Sequence, residues 1–245
     1  MFSYTCINCG TPVKSLFKKY SETVLKLTQC ENCKNVADKY IECDSVIIIV
    51  DLILLKMMAF RHFLINSEFK NYWKLSAVLL VLETYSQWTL TRRIGEVELK
   101  HNLTTEPQLS ETDIYLDDFR FYKMILIITV GTAASVFLMY LLTRIYSCWN
   151  NKTSISFRDI HKAVTLSNSG MFLLLPSLIW DINVHELHML FISLYITLSQ
   201  LLAHNALCSC QKKWSLFIIF SAYLFKTYII DLLSKHPLQF PVKIS

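Results

Sequence analysis

The chain has 245 residues, a mean hydropathy of +0.37 and a charged fraction of 18%, against about a quarter in a soluble globular domain. Its apolar residues form runs long enough to cross a bilayer, which excludes an ordinary soluble domain. The net charge of +5 is modest, and the four glycines form no phosphate-binding loop. We therefore expect neither nucleic-acid binding nor nucleotide-driven chemistry.

Two C-x-x-C pairs lie within residues 1–36, which we interpret as a zinc-ribbon module. The pairs are Cys6 with Cys9 and Cys30 with Cys33, and their separation is typical of four-cysteine zinc ribbons. Each C-x-x-C turn directs two thiolates at one point, and four thiolates complete the tetrahedron that zinc prefers. The alternating residues 23–28 predict a short strand of the ribbon hairpin. We predict a structural zinc ion held by the four cysteines, with no catalytic role.

The alternative to zinc is a pair of disulfides, which would need an oxidising compartment. The first forty residues contain no continuous apolar segment like that of a secretory signal, so we expect a cytosolic N-terminus. This expectation favours zinc over disulfides.

A distinctive run follows at residues 37–66. It reads A-D-K-Y-I-E, then D-S-V-I-I-I-V-D-L-I-L-L-K, then A-F-R-H-F-L-I-N. Together with the cysteine pairs, this run closely resembles the N-terminal homology region of the Arv family. The resemblance implies an endoplasmic reticulum membrane protein that acts in sterol homeostasis and sterol distribution, with linked effects on sphingolipid metabolism. Membrane lipids, sterols among them, would then be its partners.

The alternative function is that of an accessory subunit for the first step of glycosylphosphatidylinositol anchor synthesis, in which N-acetylglucosamine is transferred to phosphatidylinositol. Its partners would be subunits of that complex. A hydrophobic bundle with a cytosolic zinc module suits both functions, so the sequence leaves both open. No nucleophile with its base, metal–water site or similar catalytic group is legible, so we do not expect an enzyme.

Residues 46–60 are apolar but interrupted by Asp51 and Lys56. Each charge would cost about 2.5–3.5 kcal/mol at mid-bilayer, so an interfacial or re-entrant helix is favoured over a full span. On one continuous helix, Asp44, Asp51 and His62 would fall near one line. We hypothesise that this polar seam contacts a lipid headgroup or a partner; the alternative is a helix packed against the cysteine module.

The remaining residues, 67–245, are predicted to form a mainly α polytopic bundle of about five spans. The candidates are residues 72–90, 125–143, 163–180, 187–202 and 214–233. Two spans contain ionisable residues, Glu83 and Lys226, which we take as candidates for contact with a lipid or a partner, either directly or through a Glu83–Lys226 pair. The alternatives are a local bond from Glu83 to Gln87 and snorkelling of Lys226.

An odd number of spans with a cytosolic N-terminus places the C-terminus in the lumen. Basic residues in the connections after the second and fourth spans favour this orientation. The acceptor sequence at Asn102 would then be glycosylated in the lumen, whereas Asn151 would face the cytosol and stay unmodified.

Overall fold

The computed structural model describes residues 4–21, 25–102, 111–150, 155–176, 186–208 and 211–235. Within these residues, a small module of short strands precedes a mainly helical body. The module carries the four cysteines, and three of the helices that follow are long and apolar enough to cross a membrane. The predicted fold class is confirmed.

The N-terminal module consists of two small antiparallel hairpins. Strand β1 (Tyr4–Thr5) pairs with β2 (Pro12–Val13), and β3 (Phe17–Lys19) pairs with β4 (Leu25–Leu27). Strand β4 lies within the predicted strand at residues 23–28. Strands of two or three residues bury little apolar surface, so the module depends on a bound metal or on its neighbours for stability.

Residues 39–66 form a chain of short helical pieces. A 3-10 turn (Lys39–Ile41) leads into α1 (Ser45–Ile53), and then α2 (Met57–Arg61) continues into a π-helical turn (His62–Asn66). The single helix predicted over residues 46–60 is therefore wrong. Leu55 has a φ of 56°, a left-handed conformation that ends a right-handed helix, and α2 begins two residues later.

The helical body contains α3 (Tyr72–Asn102), α4 (Glu111–Trp149), α5 (Phe157–Asn168), α6 (Glu186–Cys208) and α7 (Lys212–Lys235). A 3-10 segment (Ser169–Leu174) follows α5. The helices of membrane-spanning length and composition are Asp118–Trp149, His188–Cys208 and Lys212–Lys235. They correspond to the second, fourth and fifth predicted spans.

The first and third predicted spans are not among these three helices. Residues 72–90 lie in α3, which is not among the three candidate spans in the described part of the chain. The prediction at residues 163–180 begins in α5, but this helix ends at Asn168 and gives way to the tighter 3-10 segment. Residues 177–180 lie outside the described residues.

Two apolar clusters hold the helices together. One joins α4, α5 and α7, and its buried members include Met139, Ile160 and Ile218. The other packs Phe60 and Leu64 against α5 and α6. The segment at residues 39–66 is therefore anchored in the helical body at its C-terminal end.

Candidate functional site

The four cysteines of the N-terminal module converge on one point. Their sulfur atoms all lie within 4.8 Å of one another. The Cys6–Cys33 and Cys9–Cys30 sulfur pairs are 3.7 and 3.6 Å apart, close to the roughly 3.8 Å that two thiolates show around a tetrahedral zinc with Zn–S bonds of about 2.3 Å. The four thiols could therefore hold a metal ion, and both the spacing and the donors fit zinc.

The two C-x-x-C turns share the same backbone hydrogen bond. In the first, the N–H of Gly10 donates to the carbonyl of Cys6 at 2.9 Å, and in the second, Lys34 donates to Cys30 at the same distance. Gly10 and Lys34 both have positive φ, 80° and 61°. The glycine relieves this conformation in the first turn. The second turn adopts it without a glycine, at some cost in strain.

The thiols of Cys9 and Cys33 have pKa values shifted in opposite directions. Hydrogen bonds from the hydroxyl and backbone N–H of Thr11 lower the pKa of Cys9 to about 6. A backbone hydrogen bond from Asn35 lowers the pKa of Cys33, but burial and the other three sulfurs outweigh it and raise this pKa to about 11. Four thiolates this close repel one another, and a bound cation removes that repulsion.

The first C-x-x-C turn is fastened to α2 by Arg61. The Arg61 guanidinium donates to the backbone carbonyls of Ile7 and Asn8 at 3.0 and 2.7 Å. These two residues lie between the cysteines of the turn. A Cβ on Gly10 would lie 3.4 Å from the same guanidinium, so the glycine also permits a close approach. Two hydrogen bonds therefore join the first C-x-x-C turn directly to α2.

The buried carboxylate of Asp38 and the side chain of Asn66 form a second set of contacts between the N-terminal module and residues 39–66. Asp38 is fully buried and accepts hydrogen bonds from the backbone N–H of Tyr40 at 3.0 Å, from His62 Nδ1 at 2.7 Å and from Asn66 Nδ2 at 2.7 Å. Asn66 also exchanges two 2.9 Å hydrogen bonds with the backbone of Thr5 in β1. The π-helical turn is thus bonded directly to the first strand of the module.

Asp51 has partners of its own. Its carboxylate accepts hydrogen bonds from Lys56 Nζ and from the Tyr40 hydroxyl, each at 2.7 Å. The Lys56 ammonium, followed by the Tyr40 hydroxyl, lowers the pKa of Asp51. Burial, with the negative charge of Asp51 beside it, raises the pKa of Tyr40. Because the Asp51 pKa is lowered, ionised Asp51 stabilises the fold above its unfolded-state pKa of about 3.9, and this contribution is lost as the pH falls towards the folded-state pKa.

The predicted alignment of Asp44, Asp51 and His62 is wrong, because the chain breaks after α1. Asp44 lies exposed at the start of α1, whereas Asp51 and His62 turn inwards to different partners. The alternative, packing against the cysteine module, is confirmed by the buried cluster of Ile7, Tyr40 and Ala59. A lipid or partner contact by the three residues stays a prediction.

Glu83 and Lys226 form an ion pair. Lys226 Nζ lies 2.6 Å from Glu83 Oε1, and the two side chains are only 17% and 14% exposed. The pair links α3 to α7, so the hypothesised contact between these two residues is present, in place of a local Glu83–Gln87 bond or a snorkelling lysine. A role for either residue in lipid binding stays a prediction.

A third polar cluster, around His204, was not foreseen. His204 is fully buried, with Nε2 at 3.0 Å from Thr143 Oγ1 and Nδ1 at 3.0 Å from Ser215 Oγ. Ser215 in turn donates to Asn205 Oδ1 at 2.7 Å. These contacts tie α4, α6 and α7 together inside the bundle. The sequence signal was a histidine, a threonine and a serine within three apolar helices, a pattern that suits interhelical hydrogen bonds.

The sequence also missed Asp38, Arg61 and Asn66, although all three lie in the run that resembles the Arv family. The glycosylation pattern stays a prediction: Asn102 ends α3, but residues 103–104 and Asn151 lie outside the described residues.

Membrane-length helices attached to a four-cysteine module of this kind define a multi-pass membrane protein whose N-terminal module could hold a metal ion. Comparison with known proteins narrows the class. The sequence model of the Arv1-like family matches residues 5–204, so the chain belongs to the Arv1-like family.

Relatives from distant organisms support this membership. Protein ARV1 of Mus musculus is 28% identical over 227 residues, which cover 93% of this chain and 82% of the relative. Protein arv1 of Schizosaccharomyces pombe is 30% identical over 188 residues, 73% of this chain and 66% of the relative. Protein ARV 2 of Arabidopsis thaliana is 47% identical, but over 95 residues, 36% of this chain and 42% of the relative. No solved structure matches the chain.

Proposed function

We propose that this protein is a non-enzymatic mediator of sterol homeostasis in the endoplasmic reticulum membrane, where it supports the distribution of sterol to other membranes and affects sphingolipid metabolism. One observation carries the proposal: the family match runs from residue 5 to residue 204 and so includes both the cysteine module and the helical body. The apolar outer faces of the helices, which suit contact with lipid, support a role within the membrane.

Zinc is the ion that we propose for the cysteine module. Four thiolates in a closed tetrahedron are typical of structural zinc sites, which leave no open position for a substrate. Residues between the first two ligands bond to Arg61, so zinc would also stabilise the attachment of the module to α2. Its role would be to hold this attachment and not to activate water.

We further propose that the cysteine module faces the cytosol and that the C-terminus is lumenal. Tyr146 near the end of α4 contacts Trp214 near the start of α7, so these helix ends share one side of the bundle. Arg158 lies in the first turn of α5, and Lys212 and Lys213 begin α7. Such basic residues at helix ends are enriched on the cytosolic side.

Complementation in cells tests the proposal. Cells that lack the protein should accumulate sterol in the endoplasmic reticulum relative to the plasma membrane, and the wild-type chain should restore the distribution. A chain with all four cysteines replaced by serine, matched for abundance, should restore it poorly. Surface levels of lipid-anchored proteins are measured in parallel. Normal sterol distribution combined with loss of anchored proteins would contradict sterol handling and favour the accessory-subunit alternative.

A further inference from the structure

A small cavity with mixed walls lies among α3, α4 and α5. Its volume is about 30 Å³, room for about two water-sized groups. Its aliphatic walls are interrupted by six polar side chains: Ser76, Glu83, Thr132, His161, Thr165 and Asn168. So many polar groups around one small space suit a polar occupant.

Two of these side chains have an unused hydroxyl. The Oγ1 atoms of Thr132 and Thr165 are buried and have no hydrogen-bond partner among the described residues. Several other helical threonines in this protein donate to the carbonyl three or four residues earlier, as Thr84 does to Leu80 at 2.8 Å. Because leaving a buried hydroxyl unpaired costs free energy, an occupant that bonds to both hydroxyls would be stabilised in the cavity.

The remaining polar groups define the charge of that occupant. The Glu83 carboxylate is already paired with Lys226, so the cavity has neither a free cation for a phosphate nor an uncompensated anion for an ammonium group. Asn168 Oδ1 accepts a hydrogen bond from Gln200 at 3.0 Å, and Ser76 and His161 contact each other at 3.3 Å. An uncharged hydroxyl, which both accepts and donates, fits what is left.

We propose that this cavity binds the hydroxyl group of an uncharged lipid alcohol of the sterol type, with Thr132 and Thr165 as its hydrogen-bond partners. The proposal rests on the proposed function and names the site at which that function would engage its lipid. Because the cavity is small, it admits only the hydroxyl and the carbon that bears it. The apolar body of the lipid would remain outside, against the membrane-facing side chains.

The His161 side of the cavity is bordered by aromatic rings. The Tyr72 ring packs edge-on against the His161 imidazole with centroids 5.2 Å apart, and the Phe157 ring lies 6.3 Å from the same imidazole. Thr132 lies near the middle of the candidate span Asp118–Trp149, a depth at which a charged group would be costly. This position supports a sterol-type alcohol over a lipid whose polar group is large or charged.

The test is direct binding of a fluorescent sterol, dehydroergosterol, to the purified full-length protein in detergent micelles. Its acetate ester, which lacks the free hydroxyl, is the control ligand. Thr132→Val and Thr165→Val keep the side-chain shape and remove the hydroxyl, and each should weaken binding about fivefold, the effect of one neutral hydrogen bond. The double variant should weaken it about twentyfold or more.

Thr84→Val is the matched control, because the hydroxyl that it removes already bonds to a backbone carbonyl and Thr84 does not line the cavity. It should bind the sterol like wild type. The two cavity variants should not lower the melting temperature of the ligand-free protein, since neither removes a hydrogen bond to another described residue.

The proposal would be overturned by any of three results: wild-type affinity in the double variant, equal affinity for the sterol and its acetate, or no binding by the wild-type protein. In these cases water alone would fill the cavity. Complementation separates this failure from failure of the proposed function. If the double variant fully restores sterol distribution, the cavity has no role although the function stands. If the wild-type chain itself fails to restore it, the proposed function is wrong, and the binding experiment still decides the cavity.

Discussion

Replacing Glu83 with glutamine removes one charge from the pair that joins α3 to α7. Lys226 Nζ and Glu83 Oε1 are 2.6 Å apart, and more than four-fifths of each side chain is withdrawn from the surface. Lys226 would then keep a charge with no counter-ion in the bundle. We expect a loss of about 3 kcal/mol in the free energy of unfolding, at the lower end of the range for breaking a buried pair because both side chains keep some exposure.

The reciprocal change, Lys226→Met, should cost a similar amount, since it leaves the Glu83 carboxylate without its partner. The double variant with both changes removes both charges and should recover most of the loss. A double-mutant cycle on the purified protein in detergent micelles, followed by denaturant unfolding, measures the coupling between the two residues. We expect a coupling energy of about 2 kcal/mol or more.

The same helix provides a matched control. Lys235 and Asp231 also pair at 2.6 Å, but their side chains are 73% and 58% exposed. Lys235→Met should therefore change stability by less than about 0.5 kcal/mol. A coupling energy between Glu83 and Lys226 that is as small as this control would refute the assignment of the pair as a buried link between helices.

Three further predictions address the other clusters. Cys30→Ser should abolish retention of one zinc ion per chain, measured by metal analysis of the purified protein; a variant that keeps the zinc would rule out the four-sulfur site. Asp51→Leu leaves the buried Tyr40 hydroxyl without its acceptor, so this variant should lose about 2 kcal/mol of stability and restore sterol distribution poorly. The control Asp44→Leu, at an exposed position, should behave like wild type. Full rescue by both would remove Asp51 from the mechanism. His204→Ala should cost about 3 kcal/mol in unfolding experiments while zinc content stays constant, because it opens a cavity and removes the hydrogen bonds that join α6 to Thr143 of α4 and Ser215 of α7. A negligible change would show that this cluster does not hold the helices together.

The metal site could be read from the sequence because its geometry is local. A C-x-x-C turn brings its two sulfurs together within four residues, so only the meeting of two such turns depended on the fold. Three of the five predicted spans were equally legible, since continuous apolar runs of this length are uncommon outside membranes. The sequence was less informative at residues 163–180, where apolar composition did not reveal that α5 ends at Asn168.

The attachment of the module to α2 could not be predicted, because its contacts join residues far apart in the chain. Arg61 reaches Ile7 across 54 positions, and Asn66 reaches Thr5 across 61. Nothing in the local pattern selects these partners. The predicted polar seam failed for a related reason: it assumed one uninterrupted helix, and the left-handed Leu55 alone changes the direction of every residue that follows.

The buried position of Asp51 changes what α1 offers to the membrane. The sequence predicts a polar seam at Asp51 on the free surface, but Tyr40 and Lys56 hold the Asp51 carboxylate on the side facing the module. The free face of α1 is therefore aliphatic, with Val46, Ile49 and other side chains about half or more exposed. Such a face favours burial among lipid tails at the bilayer surface.

The end of α1 is also bonded to a candidate span, since the Tyr195 hydroxyl of α6 donates to the carbonyl of Ile53 at 2.9 Å. One side of α1 thus packs on the metal module, its end contacts a membrane-length helix, and its remaining surface is apolar. Packing against the module and an interfacial position are therefore compatible in this arrangement. Any change that loosens the module from α2 should therefore also shift α1, because Tyr40 packs on the module and bonds to Asp51 of α1.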